Sequence, residues 1–320
     1  MAVKKKLMTA IKTEGLSKYY KETKALDDLS MEVPKNVVFG FLGPNGAGKT
    51  TAIKLLTGFI HPTKGSAQVA GEDVTADNLT LRSAIGLLPD VPAFYEWMSA
   101  REYLEFTGQL HQLDAKTIKE RSERLLSLVE LKKDSRRRIG GYSRGMRQRL
   151  GIAQALINQP KVLFMDEPTS ALDPVGKHEV LGLIKNLKQT TTIFMSTHNL
   201  NEVEKVCDMV GIINRGRLLT ISSVKSLQKK YAPSAFEMEF IEDFSPLLAT
   251  LEQLPWLAKP EIISHDEGPV IRVKAIDSDY ARRELPKIIS SSGLTLTRYE
   301  HVLPSLEDVF IEILEEEEAK

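Results

Sequence analysis

The sequence predicts an α/β protein in which a larger first domain is followed by a smaller α+β domain. Two apolar runs, 37–42 and 162–165, have the length and composition of buried strands. The first run leads into a glycine-rich loop and then into the helix-forming run 51–56, whereas the second run ends in two acids. Because 320 residues exceed one ordinary hydrophobic core, we expect about two domains.

The glycine-rich loop fits the pattern G-x-x-x-x-G-K-[ST], which binds nucleotide phosphates where it joins a strand to a helix. Glycines let backbone N–H groups converge on phosphate oxygens, and the helix N-terminus adds a positive dipole end. We expect Lys49 to reach the β- and γ-phosphates and Thr50 to hold Mg²⁺. The predicted residues for binding ATP or GTP are Gly43, Pro44, Asn45, Gly46, Ala47, Gly48, Lys49, Thr50 and Thr51.

Asp166 and Glu167 follow the second apolar run, at the carboxyl end of its strand, where α/β sheets place ligand sites. Asp166 is predicted to hold Mg²⁺ through water. Glu167 points the other way off the strand end, so it can orient and polarise an attacking water. The sequence therefore predicts Glu167 as a catalytic residue, together with Lys49.

A second glycine-rich segment, 140–149, leads directly into another helix-forming run. Ser143 can cap that helix, and the glycines allow an anion to approach its N-terminus. One chain therefore carries two predicted phosphate-binding half-sites.

The segment 142–146, YSRGM, resembles the LSGGQ signature of ATP-binding cassette (ABC) ATPases. Ser143 and Gly145 stand where the functional pair of that motif stands, so they are predicted to bind nucleotide. The order of P-loop, signature and acidic strand end is also that of the family. The resemblance implies a P-loop NTPase cassette with a mainly parallel sheet core, an antiparallel β-subdomain and a helical subdomain.

Three further positions resemble family elements. His198, at the end of the apolar run 191–195, is similar to the switch histidine that meets the γ-phosphate, which implies a catalytic role. Tyr20 resembles the aromatic residue that stacks on adenine, with Tyr19 beside it as the alternative. Asp90 stands where the family has a glutamine; a carboxylate is a good Mg²⁺ ligand, so we expect metal contact there. The charge of Asp90 adds to those of Asp166 and Glu167, so we expect it to change the Mg²⁺ affinity of the site and the rate of ATP hydrolysis.

The domain boundaries follow from the same pattern. The nucleotide-binding domain is expected at 1–220, with its helical subdomain at about 92–150. A linker is expected at 221–235, and a C-terminal accessory domain at 236–320. The predicted element order of that last domain, β-α-β-β-α-β, matches a ferredoxin-like unit. The cluster 94–98, FYEWM, suits either an interface or a core.

The segment 304–310, PSLEDVF, resembles the C-terminal region of ATPases that serve ABC-2-type exporters. The resemblance implies a subunit that uses ATP and Mg²⁺ and forms a homodimer or pseudo-dimer. It also implies that the subunit powers substrate translocation, as export, by a separate integral membrane permease. We therefore expect a cytoplasmic protein that is peripheral on the cell membrane.

Composition bears on the alternative function, a soluble ABC ATPase that acts on nucleic acid or ribosomes. The chain has 43 basic and 43 acidic residues, so its neutral charge does not favour binding to nucleic acid. Relatives of that kind carry two cassettes or a long coiled coil, whereas this sequence has one P-loop and no sustained heptads. A GTPase or kinase would not explain the signature segment.

Overall fold

The protein is described here from a computed structural model that covers residues 8–75, 77–170, 172–231, 234–265, 268–302 and 305–318. The chain divides into two compact units, Met1–Val224 and Lys225–Lys320. In the described part of the chain, no helix combines the length and the apolar character that crossing a membrane requires.

An antiparallel sheet opens the first unit. Its order is β2-β1-β4-β5, and its strands are β1 (Thr9–Tyr20), β2 (Thr23–Pro34), β4 (Lys64–Val69) and β5 (Glu72–Asp73). Along β2, Leu29, Met31 and Val33 are buried while the residues between them are exposed. This alternation of period two places one face of the sheet on the core and leaves the other in water.

A six-stranded sheet forms the centre of the first unit, in the order β10-β9-β3-β8-β7-β6. Its strands are β3 (Val38–Leu42), β6 (Ile85–Leu88), β7 (Val162–Asp166), β8 (Thr192–Thr197), β9 (Met209–Asn214) and β10 (Arg217–Ser223). All neighbours are parallel except β9 and β10. Every residue of β3, β7 and β8 is buried, because helices cover one face of the sheet, and the antiparallel sheet and the helix that follows β3 cover the other. The carboxyl ends of these strands therefore meet at one edge.

Seven α-helices accompany the two sheets in the described part of this unit: α1 (Lys49–Leu56), α2 (Leu79–Ala84), α3 (Ala100–Leu110), α4 (Ala115–Leu128), α5 (Arg144–Leu156), α6 (Pro174–Leu187) and α7 (Leu200–Val206). A capping box between Ser99 and Glu102 begins α3. Helices α3, α4 and α5 contribute Leu104, Leu126 and Leu150 to one buried cluster. This cluster joins the helical part of the unit to the central sheet.

The aromatic cluster at 94–98 divides between the two roles that its sequence allows. Phe94 and Met98 pack against the buried cluster. Tyr95 and Trp97 are 50% and 66% exposed, with ring centroids 5.9 Å apart. The first pair is therefore core, and the second pair is a small exposed aromatic surface.

The second unit is built on a four-stranded antiparallel sheet in the order β12-β13-β11-β14. Its elements are β11 (Ser234–Phe240), α9 (Ser245–Leu251), β12 (Glu261–His265), β13 (Gly268–Ala275), α10 (Ser278–Ser292), β14 (Leu296–Val302) and α11 (Leu306–Glu318). Phe236, Met238 and Leu285 belong to its buried apolar cluster.

The expected linker at 221–235 is mostly regular structure, and the boundary between the two units falls within it, after Val224. Residues 221–223 complete β10, whose backbone pairs with β9, and helix α8 (Val224–Tyr231) follows at once. The polar side chains of this segment hid its backbone pairing from a prediction based on hydrophobic periodicity. Residues 232–233 of this segment lie outside the described residues.

Candidate nucleotide-binding site

The P-loop joins the end of β3 to the start of α1, which is the context that its motif requires. Gly46 and Gly48 have φ angles of +80° and +106°. A Cβ on Gly43 would lie 2.3 Å from the carbonyl oxygen of Ile213, and one on Gly48 would lie 2.4 Å from that of Ala25. Neighbouring backbone therefore permits only glycine at positions 43 and 48.

Lys49 is buried at the start of α1. Its Nζ donates hydrogen bonds to the carbonyl oxygens of Gly43, at 2.7 Å, and Pro44, at 3.2 Å. The same Nζ lies 3.4 Å from Oε1 of Glu167. The lysine predicted to contact phosphate and the glutamate predicted to act on water therefore lie side by side.

Glu167 follows β7 in the left-handed region, with φ +46°. Its backbone N–H donates to Ser196, to the carbonyl oxygen at 3.2 Å and to Oγ at 3.1 Å. Its Oε2 lies 2.9 Å from Nδ1 of His198, which follows β8. The structure thus brings Lys49, Glu167 and His198 together at one edge of the sheet.

Ser196 was not predicted as a site residue. It is fully buried, and its Oγ donates to Oδ1 of Asp166 at 2.5 Å. One serine therefore contacts both acids that end β7. The sequence signal was a polar residue near the end of a buried strand, two positions before His198.

Asp90 follows β6, the strand next to β7, and its Oδ1 accepts a hydrogen bond from Oγ of Ser170 at 2.8 Å. Asp90 and Glu167 line one cleft of about 450 Å³ together with several P-loop residues. Four more residues of its lining were not predicted, since they come from distant parts of the chain: Thr23, Lys24, Ala25 and Arg215.

The two neighbouring tyrosines have different surroundings. The hydroxyl of Tyr19 donates to Oδ1 of Asp27 at 2.9 Å, and Asp27 also accepts two hydrogen bonds from Arg217, at 3.1 and 2.8 Å. The hydrogen bonds from Arg217, and then that from Tyr19, lower the pKa of Asp27 to about 2. Tyr20 is 49% exposed, with Lys18 Nζ 5.2 Å from its ring centroid. Tyr20 is therefore the ring with more surface to offer an adenine base.

Ser143 and Gly145 lie in a second cleft of about 430 Å³. Ser143 caps α5 as predicted, because its Oγ accepts the N–H of Met146 at 3.2 Å. The remaining lining comes partly from the first turns of α6, including Asp173 and Gly176. Of the described residues that line this cleft, none belongs to the P-loop. A single chain therefore keeps its two half-sites apart.

The predicted metal ligands do not form a complete cage. Thr50 and Asp90 line the first cleft, while Asp166 is buried and is not part of its lining. Within the described ranges, no group of three or more His, Cys, Asp or Glu side chains could hold a metal ion. Any cation here would need oxygen ligands from a bound nucleotide or water.

Comparisons with known proteins identify the family. Residues 26–170 match the family model described as ABC transporter. The chain is 38% identical to the uncharacterized ABC transporter ATP-binding protein YxlF of Bacillus subtilis (strain 168), over 94% of this chain and 98% of the relative. It is 35% identical to the bacitracin transport ATP-binding protein BcrA of Bacillus licheniformis, over 96% and 98%. It is 31% identical to the daunorubicin resistance ATP-binding protein DrrA3 of Streptomyces coeruleorubidus, over 95% and 96%.

Solved structures agree with this assignment. One described as an ATP binding subunit of an ABC transporter has a TM-score of 0.64 and 27% identity, covering 70% of this chain and 93% of that chain. Another, cbiO1 from Clostridium perfringens, has a TM-score of 0.64 and 25% identity, covering 78% and 96%. The chain belongs to the ABC transporter family. Within that family it is an ATP-binding subunit with ATPase activity, which works with a membrane permease.

Proposed function

We propose that two copies of this chain, or this chain and a similar one, close head to tail around two ATP molecules and so power an exporter. The separation of the two clefts carries the proposal. The P-loop lines one cleft, and Ser143 and Gly145 line another, so one chain supplies two incomplete halves. A partner that brings its Ser143 and Gly145 to this P-loop would complete the site. ATP would then stabilise the closed dimer, and hydrolysis would release it.

The residues present fit a nucleotide with Mg²⁺. Gly43 and Gly48 leave the loop backbone without side chains, while Lys49 adds a buried cation. Thr50, Asp90 and Asp166 offer the oxygen donors that Mg²⁺ prefers, and the ion would neutralise phosphate charge. One carboxylate oxygen of Asp90 already accepts a hydrogen bond from Ser170.

Glu167 and His198 are proposed as the groups that act on the attacking water. Glu167 lies at the end of β7, 3.4 Å from Lys49 and 2.9 Å from His198. In this position its carboxylate can accept a proton from water, while His198 orients the carboxylate from the other side. Tyr20 is proposed to stack on adenine.

The relatives support export as the direction of transport. One is named for bacitracin transport and another for daunorubicin resistance. We propose that the permease contacts the substrate, and that this chain works at the cytoplasmic face of the membrane without binding nucleic acid.

The test uses Glu167→Gln, which keeps the size of the side chain and removes the base. We expect turnover to fall by about 10²–10⁴-fold while ATP affinity is retained. With ATP and Mg²⁺, the molar mass by light scattering should double. Turnover at the wild-type rate would refute the role of Glu167, and a monomer under all conditions would refute the dimer.

Ser143→Asp is the matched variant for the second cleft. Aspartate caps helices as well as serine does, so α5 should remain intact. Its charge would repel the phosphates of the partner's nucleotide. In the Glu167→Gln background we expect ATP binding without dimerisation. A tagged chain should also co-purify with a multi-spanning protein from membranes in mild detergent; recovery with ribosomes or nucleic acid instead would favour the alternative function.

A further inference from the structure

A buried carboxylate lies in helix α7, which begins two residues after His198. Glu202, in α7, is only 4% exposed, and a buried charge is costly unless it is paired. Its Oε2 accepts a hydrogen bond from Oγ1 of Thr197 at 3.2 Å, and its Oε1 lies 3.7 Å from Nζ of Lys177. Glu202 therefore connects the end of β8 to helix α6.

The partners of Glu202 flank the catalytic histidine. Oγ1 of Thr197 also accepts the backbone N–H of Asn199 at 3.0 Å. Oδ1 of Asn199 in turn accepts the backbone N–H of Glu202 at 3.3 Å. The residues before and after His198 are thus held in one network centred on Glu202.

The other end of the network leads to the second cleft. Lys177 lies in the first turns of α6, where Asp173 caps the helix by accepting the N–H of Gly176 at 3.1 Å. Asp173 and Gly176 line the same cleft as Ser143. Helix α6 therefore connects that cleft to the Lys177–Glu202 pair.

We propose that Glu202 is a positioning residue, which holds His198 in place through Thr197 and couples it to the second cleft through Lys177. The coupling rests on the proposed function, because the second cleft matters only if it receives the nucleotide of a partner. Nucleotide binding in that cleft would then change the position of His198 in the same chain. Turnover at the two ATP sites would consequently be cooperative.

The positioning role is tested by Thr197→Val, which keeps the shape and removes the hydroxyl, with Thr197→Ser as the matched control. We expect Thr197→Val to lower kcat by about tenfold, with KM for ATP changed by less than about twofold, because the hydroxyl's hydrogen bonds to Glu202 and to the backbone N–H of Asn199 are both lost. Thr197→Ser should keep wild-type kcat. In a His198→Ala background, Thr197→Val should cause no further loss.

These outcomes separate positioning from general stability. An equal loss from Thr197→Val in the presence and absence of His198 would show a structural effect and overturn the proposal. Wild-type kcat in Thr197→Val would overturn it as well. Melting temperatures of all variants, measured without nucleotide, show whether each one folds.

The coupling is tested by the double variant Lys177→Met/Glu202→Gln. Removal of one partner alone would leave a buried unpaired charge, whereas removal of both charges is close to neutral for folding. The glutamine can still accept the hydroxyl of Thr197, so kcat should stay within about threefold of wild type. The Hill coefficient for ATP should fall from above 1 to about 1.

The result distinguishes this inference from the proposed function. A wild-type Hill coefficient of 1, or an unchanged coefficient in the double variant, would overturn the coupling through Lys177. Failure of Glu167→Gln to dimerise with ATP would instead overturn the proposed function itself.

Discussion

The two P-loop glycines with positive φ offer a matched pair of substitutions, Gly46→Ala and Gly48→Ala. Both residues lie in the left-handed half of backbone space, at φ +80° and +106°. The ideal Cβ of residue 46 meets nothing within 4 Å, whereas that of residue 48 would lie 2.4 Å from the carbonyl oxygen of Ala25. Both substitutions therefore introduce backbone strain, and only Gly48→Ala adds a collision with backbone.

The expected difference in stability between the two variants can be estimated from these contacts. Strain at positive φ costs about 1–2 kcal/mol for a residue with a Cβ, and this applies to both variants. A collision that no rotamer change relieves costs about 2 kcal/mol more at Gly48. For a domain of this length, that addition lowers the melting temperature by a further 4–8 °C, on the order of 2–4 °C per kcal/mol.

The assay is calorimetric unfolding of the two variants and the wild type without nucleotide. We expect Gly46→Ala to lie a few degrees below wild type and Gly48→Ala to lie clearly below Gly46→Ala. Gly48→Ala should also lose ATP affinity, because relief of the collision moves the loop. Equal melting temperatures for the two variants would refute the close approach of the loop to β2.

Three further predictions concern Tyr20, Asp27 and Asp90. Tyr20→Ala should weaken ATP binding by about 1–3 kcal/mol, the value of a stacked base, whereas Tyr19→Ala should weaken it less; the reverse order would assign the stacking to Tyr19. Asp27→Asn should be less stable than wild type at neutral pH, because Arg217 lowers the pKa of Asp27 to about 2. Because the pKa of Asp27 is lower in the folded protein than its value of about 4 in the unfolded chain, the carboxylate stabilises the fold above about pH 4. The difference in unfolding midpoint between wild type and Asp27→Asn should therefore shrink between about pH 4 and pH 2. A difference that does not depend on pH would contradict this role of Asp27. Asp90→Asn removes one charge from the cleft and should weaken Mg²⁺ binding by about 1 kcal/mol, measured as the Mg²⁺ concentration for half-maximal turnover; a wild-type requirement would contradict its role as a ligand.

The local parts of the candidate site were predictable from sequence. The loop 43–50 and the acids at 166–167 each lie directly after a short apolar run, so strand, loop and carboxylate follow one another along the chain. Ser143 was predictable as a cap for the same reason, since capping depends on residues three positions apart. These signals are local, and the structure places each residue on the predicted kind of element.

The rest of the cleft depends on which strands become neighbours. Ser196 contacts both acids because β8 lies beside β7, and Arg215 reaches the cleft from the turn between β9 and β10. The order β10-β9-β3-β8-β7-β6 is not the order along the chain, and single-sequence periodicity carries no information on it. Glu202 was overlooked for a similar reason, because an acid in a polar helix gives no sign of being buried.

Glu167 is held at the candidate site in a backbone conformation that costs stability. Its φ of +46° is unfavourable for any residue with a Cβ. The conformation persists because Ser196 accepts its backbone N–H and because Nε2 of the buried Gln148 donates to the carbonyl oxygen of Pro168 at 2.9 Å. We therefore expect Glu167→Gly to be more stable than Glu167→Ala by about 1 kcal/mol, since glycine relieves the strain and alanine keeps it. Unfolding midpoints in denaturant would measure the difference. At an unstrained position alanine would be the more stable of the two, so that order at residue 167 would show that the left-handed conformation is not imposed by the surrounding fold.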